Sequence, residues 1–283
     1  VKLASVTVGG VRRAGVVDEA AQSITLLDTT VDDIVRGGAA GERGEVLPLS
    51  SLRLESPLHR FNRDVLCTGW NYLDHFLESQ GKRGGQDPVS VPERPTFFTK
   101  GPDTVIGPVD DIAYDPAIST SWDYEAEIAV VIGRDGRSIP EEKALDHVFG
   151  FLVANDVSQR DLQRAHGGQW LKGKSLDRTM PLGPWVTTTD SVDLSALQVQ
   201  CEVNGQLLQN ASSTDMAFSF ARIIAELSHG MTLRAGDVIL TGTPSGIGSA
   251  REPQLFLRDG DLVVTRVSGL GELRNTVTLT DLS

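Results

Sequence analysis

The segment at residues 124–132, Tyr-Glu-Ala-Glu-Ile-Ala-Val-Val-Ile, constrains the fold more than any other part of the chain. It opens as an alternation of polar and apolar residues and ends as an unbroken apolar run. Alternation marks a strand with one wet face, whereas a continuous β-branched run marks a strand covered on both faces. Such a chain must build a sheet with material packed on either side. Short apolar runs at 150–154, 236–240 and 262–267, the last behind an Asp-Gly-Asp turn, can supply its neighbours. Glycine makes up 29 of 283 residues. That exceeds the usual share of about 7% and suits the tight turns of a strand-rich fold. Few helices stand out. One places Phe218, Ala221, Ile224 and Ala225 at helical spacing, with Ser213 or Thr214 as cap, His229 in its last turn and Gly230 as its stop. Another starts near Asp161. The pattern predicts a mainly β (α+β) fold, rolled or barrel-like, with helices on its outside.

The first sixty residues read as a smaller unit. Strand-like runs at 3–8, 14–17 and 24–27 precede a short helix at 31–35, capped by Thr30 and stopped at Gly37-Gly38. Residues 44–60, with Pro48 and Pro57, read as a connector. The expected division is a small N-terminal α/β domain with its connector over 1–60 and a catalytic domain over 61–283. A net charge of −12 leaves no basic footprint for nucleic acid. No apolar stretch approaches the roughly 20 residues that span a membrane, and the N-terminus lacks a basic-then-apolar leader. Cys67 and Cys201 form no CxxC and read as reduced thiols. The expectation is a soluble cytoplasmic protein that acts on small molecules, without nucleic-acid or membrane partners.

Glu125 and Glu127, one residue apart on a strand, project from the same face and repel each other unless something neutralises them. Asp156 follows the 150–154 run directly. Three hard oxygen ligands without a His or Cys cluster suit Mg²⁺ or Mn²⁺, with Ca²⁺ as a substitute in vitro, rather than Zn²⁺. The alternative is two glutamates facing solvent on an edge strand and an aspartate capping the next helix. His75 and Glu78, three apart, stand side by side if their segment is helical. A carboxylate that fixes the imidazole tautomer makes such a pair a general base; a surface ion pair is the bland alternative. Residues 79–95, rich in Gly and Pro, read as a lid or as a plain surface loop. Lys174 lies in Gly-Lys-Ser without the glycine spacing of a phosphate loop. Beside a divalent cation it can neutralise an enolate or a carboxylate. Thr243, in a Gly-Thr-Pro-Ser-Gly turn, can offer its hydroxyl and N–H to a carboxylate. Arg160 reads as a structural partner of a nearby acid, and His59 and His147 as surface residues.

Five motifs, in order, resemble the fumarylacetoacetate hydrolase superfamily. They are Gly69-Trp-Asn-Tyr-Leu-Asp-His75, Trp122-Asp-Tyr-Glu-Ala-Glu127, Asn155-Asp-Val-Ser-Gln-Arg-Asp161, Gly173-Lys-Ser-Leu-Asp177 with Pro181-Leu-Gly-Pro184, and Thr241-Gly-Thr-Pro-Ser-Gly-Ile-Gly248. The resemblance implies a mixed β-roll with peripheral helices, a homodimer, and metal ligation by Glu125, Glu127 and Asp156. It makes His75 and Glu78 the base of hydrolytic members, and Lys174 and Gln163 substrate contacts. Asn71 stands where some eukaryotic hydrolases offer a further Asp ligand, which implies three protein carboxylates here. The implied activity is metal-dependent C–C hydrolysis of a 2,4-diketo acid or acylpyruvate, as in prokaryotic members. The alternative is a keto–enol isomerase or oxaloacetate-type decarboxylase on the same site. A metal-stabilised binding protein without turnover is the reading from another class.

Overall fold

A computed structural model describes residues 1–82, 90, 92–195 and 197–282. The strand predicted at 124–132 forms as Ala126–Ile132 at the heart of the main sheet. It pairs antiparallel with Val148–Asn155 on one side and with Val238–Leu240 on the other. Its side chains bury alternately on two faces. Ile128, Val130 and Ile132 enter one core cluster, and Ala129 and Val131 enter another. The unbroken apolar run is thus explained by a sheet covered on both sides.

The sheet runs in the order Arg43–Pro48, Ser23–Leu27, Val11–Asp18, Lys2–Val8, Met180–Thr188, Val148–Asn155, Ala126–Ile132, Val238–Leu240, Val65–Gly69, Thr96–Lys100. Most neighbours are antiparallel, but Val238–Leu240 and Val65–Gly69 run parallel, so the sheet is mixed. A second, five-stranded sheet contains Gln206–Ser212, Gln198–Val203, Leu262–Val267, Gly271–Leu279 and Ile112–Tyr114. Val199, Val263 and Leu273 of that sheet share a core with Ile128 and Val153 of the first. Mainly β architecture with peripheral helices follows from this packing of sheet on sheet.

The N-terminal strands form close to their predicted positions, and α1 (Val31–Val35) is capped by the Thr30 hydroxyl, which accepts from the Asp33 N–H. They continue the main sheet, because Lys2 and Leu3 pair with Thr187 and Val186. The segment read as connector includes the strand Arg43–Pro48. Among the described residues three further α-helices follow: α2 (Leu73–Ser79), α3 (Arg160–Ala165) and α4 (Phe220–Ser228). The last corrects its predicted start: its cap is Ser219, whereas Ser213 and Thr214 lie in a separate 3₁₀ turn closed by Ser212 and Asp215. His59 is also corrected, since it is half-buried between Asp32 and Glu55. Cys67 and Cys201 are buried free thiols. Among the described residues no helix is long and apolar enough to cross a membrane.

Candidate active site

The register of two strands builds the acidic cluster. Ala126 faces Asn155, so Glu125 and Asp156 lie just beyond the paired ends, and the Asp156 N–H donates to the Glu125 carbonyl over 2.8 Å. The Asn155 side chain locks this corner by accepting from the Glu125 N–H at 3.0 Å. Glu125, Glu127 and Asp156 are 4%, 1% and 0% exposed. One oxygen of each lies within 4.8 Å of the others. The edge-strand alternative therefore fails, because the strand is central and both glutamates are buried. Asp156 caps no helix either, since α3 is entered through Gln159.

Burial of so much charge demands partners. Lys174 Nζ donates to Glu125 Oε2 at 2.7 Å and to Asp156 Oδ2 at 2.8 Å. Arg160 donates from Nη2 to Glu125 Oε1 at 2.6 Å and from Nε to Asp123 Oδ2 at 2.8 Å. Lys100 Nζ lies 2.8 Å from Asp156 Oδ1 and donates to the Val157 carbonyl. Burial alone would raise the Glu125 pKa, but Lys174 and Arg160 outweigh it and hold the carboxyl below its usual range. Glu127 goes the other way: burial, then Asp156 and Glu125, push its pKa well above the ordinary carboxylate value.

Four buried carboxylates, Asp123 included, thus face three cations. The Asp156 Oδ1 atom, despite its nearby ammonium, has no aligned hydrogen bond. An all-oxygen donor set, a shortfall of positive charge and an orphaned carboxylate oxygen fit a hard divalent cation. This centre could hold one.

A different element carries the basic pair. Helix α2 brings His75 Nδ1 to 2.9 Å from Glu78 Oε1, and Glu78 Oε2 accepts from the Gly246 N–H at 2.8 Å. Asn71 rivets the start of this helix, donating to the carbonyls of Thr241 (2.7 Å) and Phe218 (3.0 Å) and accepting from the Phe218 N–H (2.7 Å). Its amide is consumed by that task. Gly242 lies between Asn71 and Glu127: its N–H donates to Glu127 Oε2 at 2.6 Å, its φ is +95°, and a Cβ there would meet Asn71 Cβ at 2.7 Å.

His75, Glu125, Glu127, Gln163, Lys174 and Thr243 line one cavity, walled by Trp70, Phe98 and Trp170. Lys174 Nζ also sits 4.9 Å above the Phe98 ring. Gln163 Oε1 accepts from Arg160 Nη1 at 3.1 Å. The Thr243 hydroxyl is occupied, donating to the Ala126 carbonyl at 2.9 Å and accepting from Gln209 Nε2 at 2.8 Å. Sequence reasoning missed Lys100 and Asp123 and kept Arg160 outside the site. Only the parity of Lys100 at an inward strand end could have signalled it. Of the segment read as a lid, residues 83–89 and 91 lie outside the described residues.

Residues 64–278 match the family model for the fumarylacetoacetate (FAA) hydrolase C-terminal domain. The chain is 42% identical over 230 residues to the oxaloacetate tautomerase YisK of Bacillus subtilis, covering 81% of this chain and 74% of that protein. Among solved structures, fumarylacetoacetate hydrolase from psychrophilic Exiguobacterium antarcticum superposes with a TM-score of 0.87 at 35% identity, covering 99% of both chains. A 5-carboxymethyl-2-hydroxymuconate delta-isomerase from Mycobacterium smegmatis superposes with a TM-score of 0.81 at 31% identity, covering 99% of this chain and 100% of the other.

Proposed function

The chain belongs to the fumarylacetoacetate hydrolase family, and on that premise we propose that it interconverts the keto and enol forms of an oxaloacetate-type 2-oxo acid. Its centre would be Glu125, Glu127 and Asp156 around Mg²⁺ or Mn²⁺. One observation carries the reading: Glu125 and Glu127 of a buried three-carboxylate cluster line the same cavity as an imidazole, one nitrogen of which is fixed by a carboxylate. Of the three similar proteins, the one with the highest identity is named a tautomerase and another an isomerase, which favours this over the C–C hydrolysis that the motifs imply and that the name of the Exiguobacterium protein carries. When bound, the divalent ion would act as a Lewis acid on the 2-oxo group and make the neighbouring C3 protons acidic.

With Nδ1 committed to Glu78, His75 takes the C3 proton through Nε2, and Glu78 stabilises the imidazolium that results. Gly246 keeps Glu78 from turning away. Lys174, on the same carboxylates, lies where it can balance negative charge developing on the substrate oxygen. His75 then returns the proton to oxygen or carbon, so nothing is consumed. Gln163 and the backbone N–H of Thr243 orient the carboxylate end, because the Thr243 hydroxyl proton is spent on Ala126. The aromatic wall keeps water from the reacting carbon.

The test is the decay of the oxaloacetate enol absorbance after chelation and after return of Mg²⁺, with products identified. A faster approach to keto–enol equilibrium, without fragments, is the expected result. Pyruvate with CO₂ would move the assignment to decarboxylation, and two carbon fragments from an acylpyruvate would move it to hydrolysis, with His75 activating water. No turnover of any oxo acid with metal would leave a binding protein.

A further inference from the structure

Helix α2 carries the base, yet it spans only seven residues, and Tyr72 at its N-cap makes no side-chain capping bond. A helix this short does not hold its place by its own hydrogen bonds. Its position must come from outside, and the loop at 241–246 grips it at both ends. At the start, Asn71 Nδ2 donates to the Thr241 carbonyl at 2.7 Å. At the end, Glu78 Oε2 accepts from the Gly246 N–H at 2.8 Å.

The same loop is fastened to the strand that follows Glu125 and contains Glu127. The Thr241 N–H and hydroxyl both donate to the Ile128 carbonyl, at 3.1 and 2.9 Å. The Gly242 N–H donates to Glu127 Oε2 at 2.6 Å, and the Thr243 hydroxyl to the Ala126 carbonyl at 2.9 Å. The peptide between Thr241 and Gly242 thus faces both ways: its N–H holds Glu127 and its carbonyl holds Asn71. A peptide whose N–H donates to a carboxylate becomes a better acceptor at its carbonyl, so the two bonds strengthen each other. Asn71, Glu127 and Thr241 are buried, so water does not replace a bond lost here. Asn71 stands four residues before His75, and a shift at its amide reaches the imidazole within about one helical turn.

We propose that Asn71 is a positioning residue for the base. Through the Thr241–Gly242 peptide it fixes the distance from His75 to the acidic cluster. The inference rests on the tautomerase reading for the task of His75 and deepens it.

The test uses Asn71→Ser, loaded with Mg²⁺, on oxaloacetate. Misplacement of a reacting group by about 1 Å costs on the order of 10²-fold, so kcat should fall about 30–100-fold. KM and the Mg²⁺ affinity measured by calorimetry should stay within about threefold of wild type, because the carboxylates keep their own partners. The Asn71→Ser/His75→Ala double variant should be no slower than His75→Ala alone, since nothing is left to position. Losses that multiply, an unchanged kcat, or an equal fall in Mg²⁺ affinity would overturn the proposal. Should Asn71→Ser not fold, Thr241→Val replaces it, removing only the hydroxyl bond to Ile128. Its kcat should fall by a smaller factor, with the same lack of additivity, and the same outcomes would overturn the proposal.

If wild type does not turn over oxaloacetate, Mn²⁺ decides. Bound at the carboxylates, this paramagnetic ion broadens the resonance of an isotope-labelled His75 imidazole, steeply with distance. A displacement of about 1 Å should cut that broadening about twofold or more in the folded variant. Equal broadening would overturn the positioning role and leave the metal centre standing. No broadening in wild type would overturn both. Weaker broadening in the variant, without turnover in wild type, would support the positioning role while the tautomerase reading alone fails.

Discussion

At Asp156 two ammonium groups share one carboxylate. Lys174 holds Oδ2 and Lys100 stands beside Oδ1, and both lysines are buried. Without Lys100 the carboxylate keeps Lys174 on Oδ2 but loses the charge beside Oδ1 in a cluster already short of cations, a loss at the lower end of the range of about 3–5 kcal/mol for a broken buried pair. Lys100→Met should therefore lower stability by that order in chemical denaturation, well beyond the cost of an exposed lysine. His75 lies at the opposite extreme: its Nδ1 is committed to Glu78, and it acts on Glu125 only through a charge attraction smaller than those of Lys174 and Arg160. His75→Ala should cut kcat about 10²–10⁴-fold, the worth of a positioned general base, while Mg²⁺ affinity measured by calorimetry stays near wild type. An equal fall in metal affinity would make His75 part of the metal centre instead. The difference in legibility between these residues is physical. Glu125, Glu127 and Asp156 could be read because strand parity and strand ends fix where short acidic side chains point. His75 and Glu78 could be read because three residues make nearly one helical turn. Arg160 could be read as the partner of a nearby acid, but which acids it and Lys100 meet depends on folds of the chain that local spacing does not encode.

Helix α4 shows how an element's boundary escapes a periodic reading. Phe218 falls into helical spacing with Ala221 and Ile224, yet its N–H and carbonyl are taken by Asn71, so it precedes the helix. The hydroxyl that accepts from the first turn is Ser219, bonded to the Arg222 N–H at 3.1 Å. Thermal unfolding should find Ser219→Ala less stable by about 0.5–2 kcal/mol, the usual cost of a lost N-cap. Thr214→Ala, in the 3₁₀ turn, should cost less than about 0.5 kcal/mol, as most exposed substitutions do. By contrast, the central strands were legible almost to their ends, because burial on both faces leaves a composition no loop would carry.

Over the whole molecule, the first sixty residues and the rest share one core cluster: Leu3, Ala14, Val31 and Val35 pack with Val131, Leu152 and Leu182. We keep the division at residue 60 as a proposal about independent folding, and a chain of residues 61–283 tests it by its solubility and unfolding transition. His59 lies at this seam, facing Arg12, Asp32, Glu55 and Asp110. Burial, and then Arg12, lower its pKa against the pull of Asp32 and Glu55. A base with a depressed folded-state pKa is protonated first in the unfolded chain. Its stabilising effect is complete above about pH 6.5 and is lost as pH falls through the lower folded value. Wild-type Tm should accordingly drop more between about pH 7.5 and about pH 5.5 than that of His59→Gln. We also propose the homodimer implied by the sequence motifs, which sedimentation at micromolar concentration tests. The strand order of the main sheet has a consequence for the route by which activity appears. Val65–Gly69 joins Ala126–Ile132 only through Val238–Leu240, which arrives more than a hundred residues later in the chain. The base after the first of these strands and the acidic cluster on the second therefore meet only when that last strand docks. Closing loops of this length is slow. On dilution from denaturant, backbone order should recover before turnover does, so that enzymatic rate, followed beside circular dichroism, becomes a clock for the final step of folding.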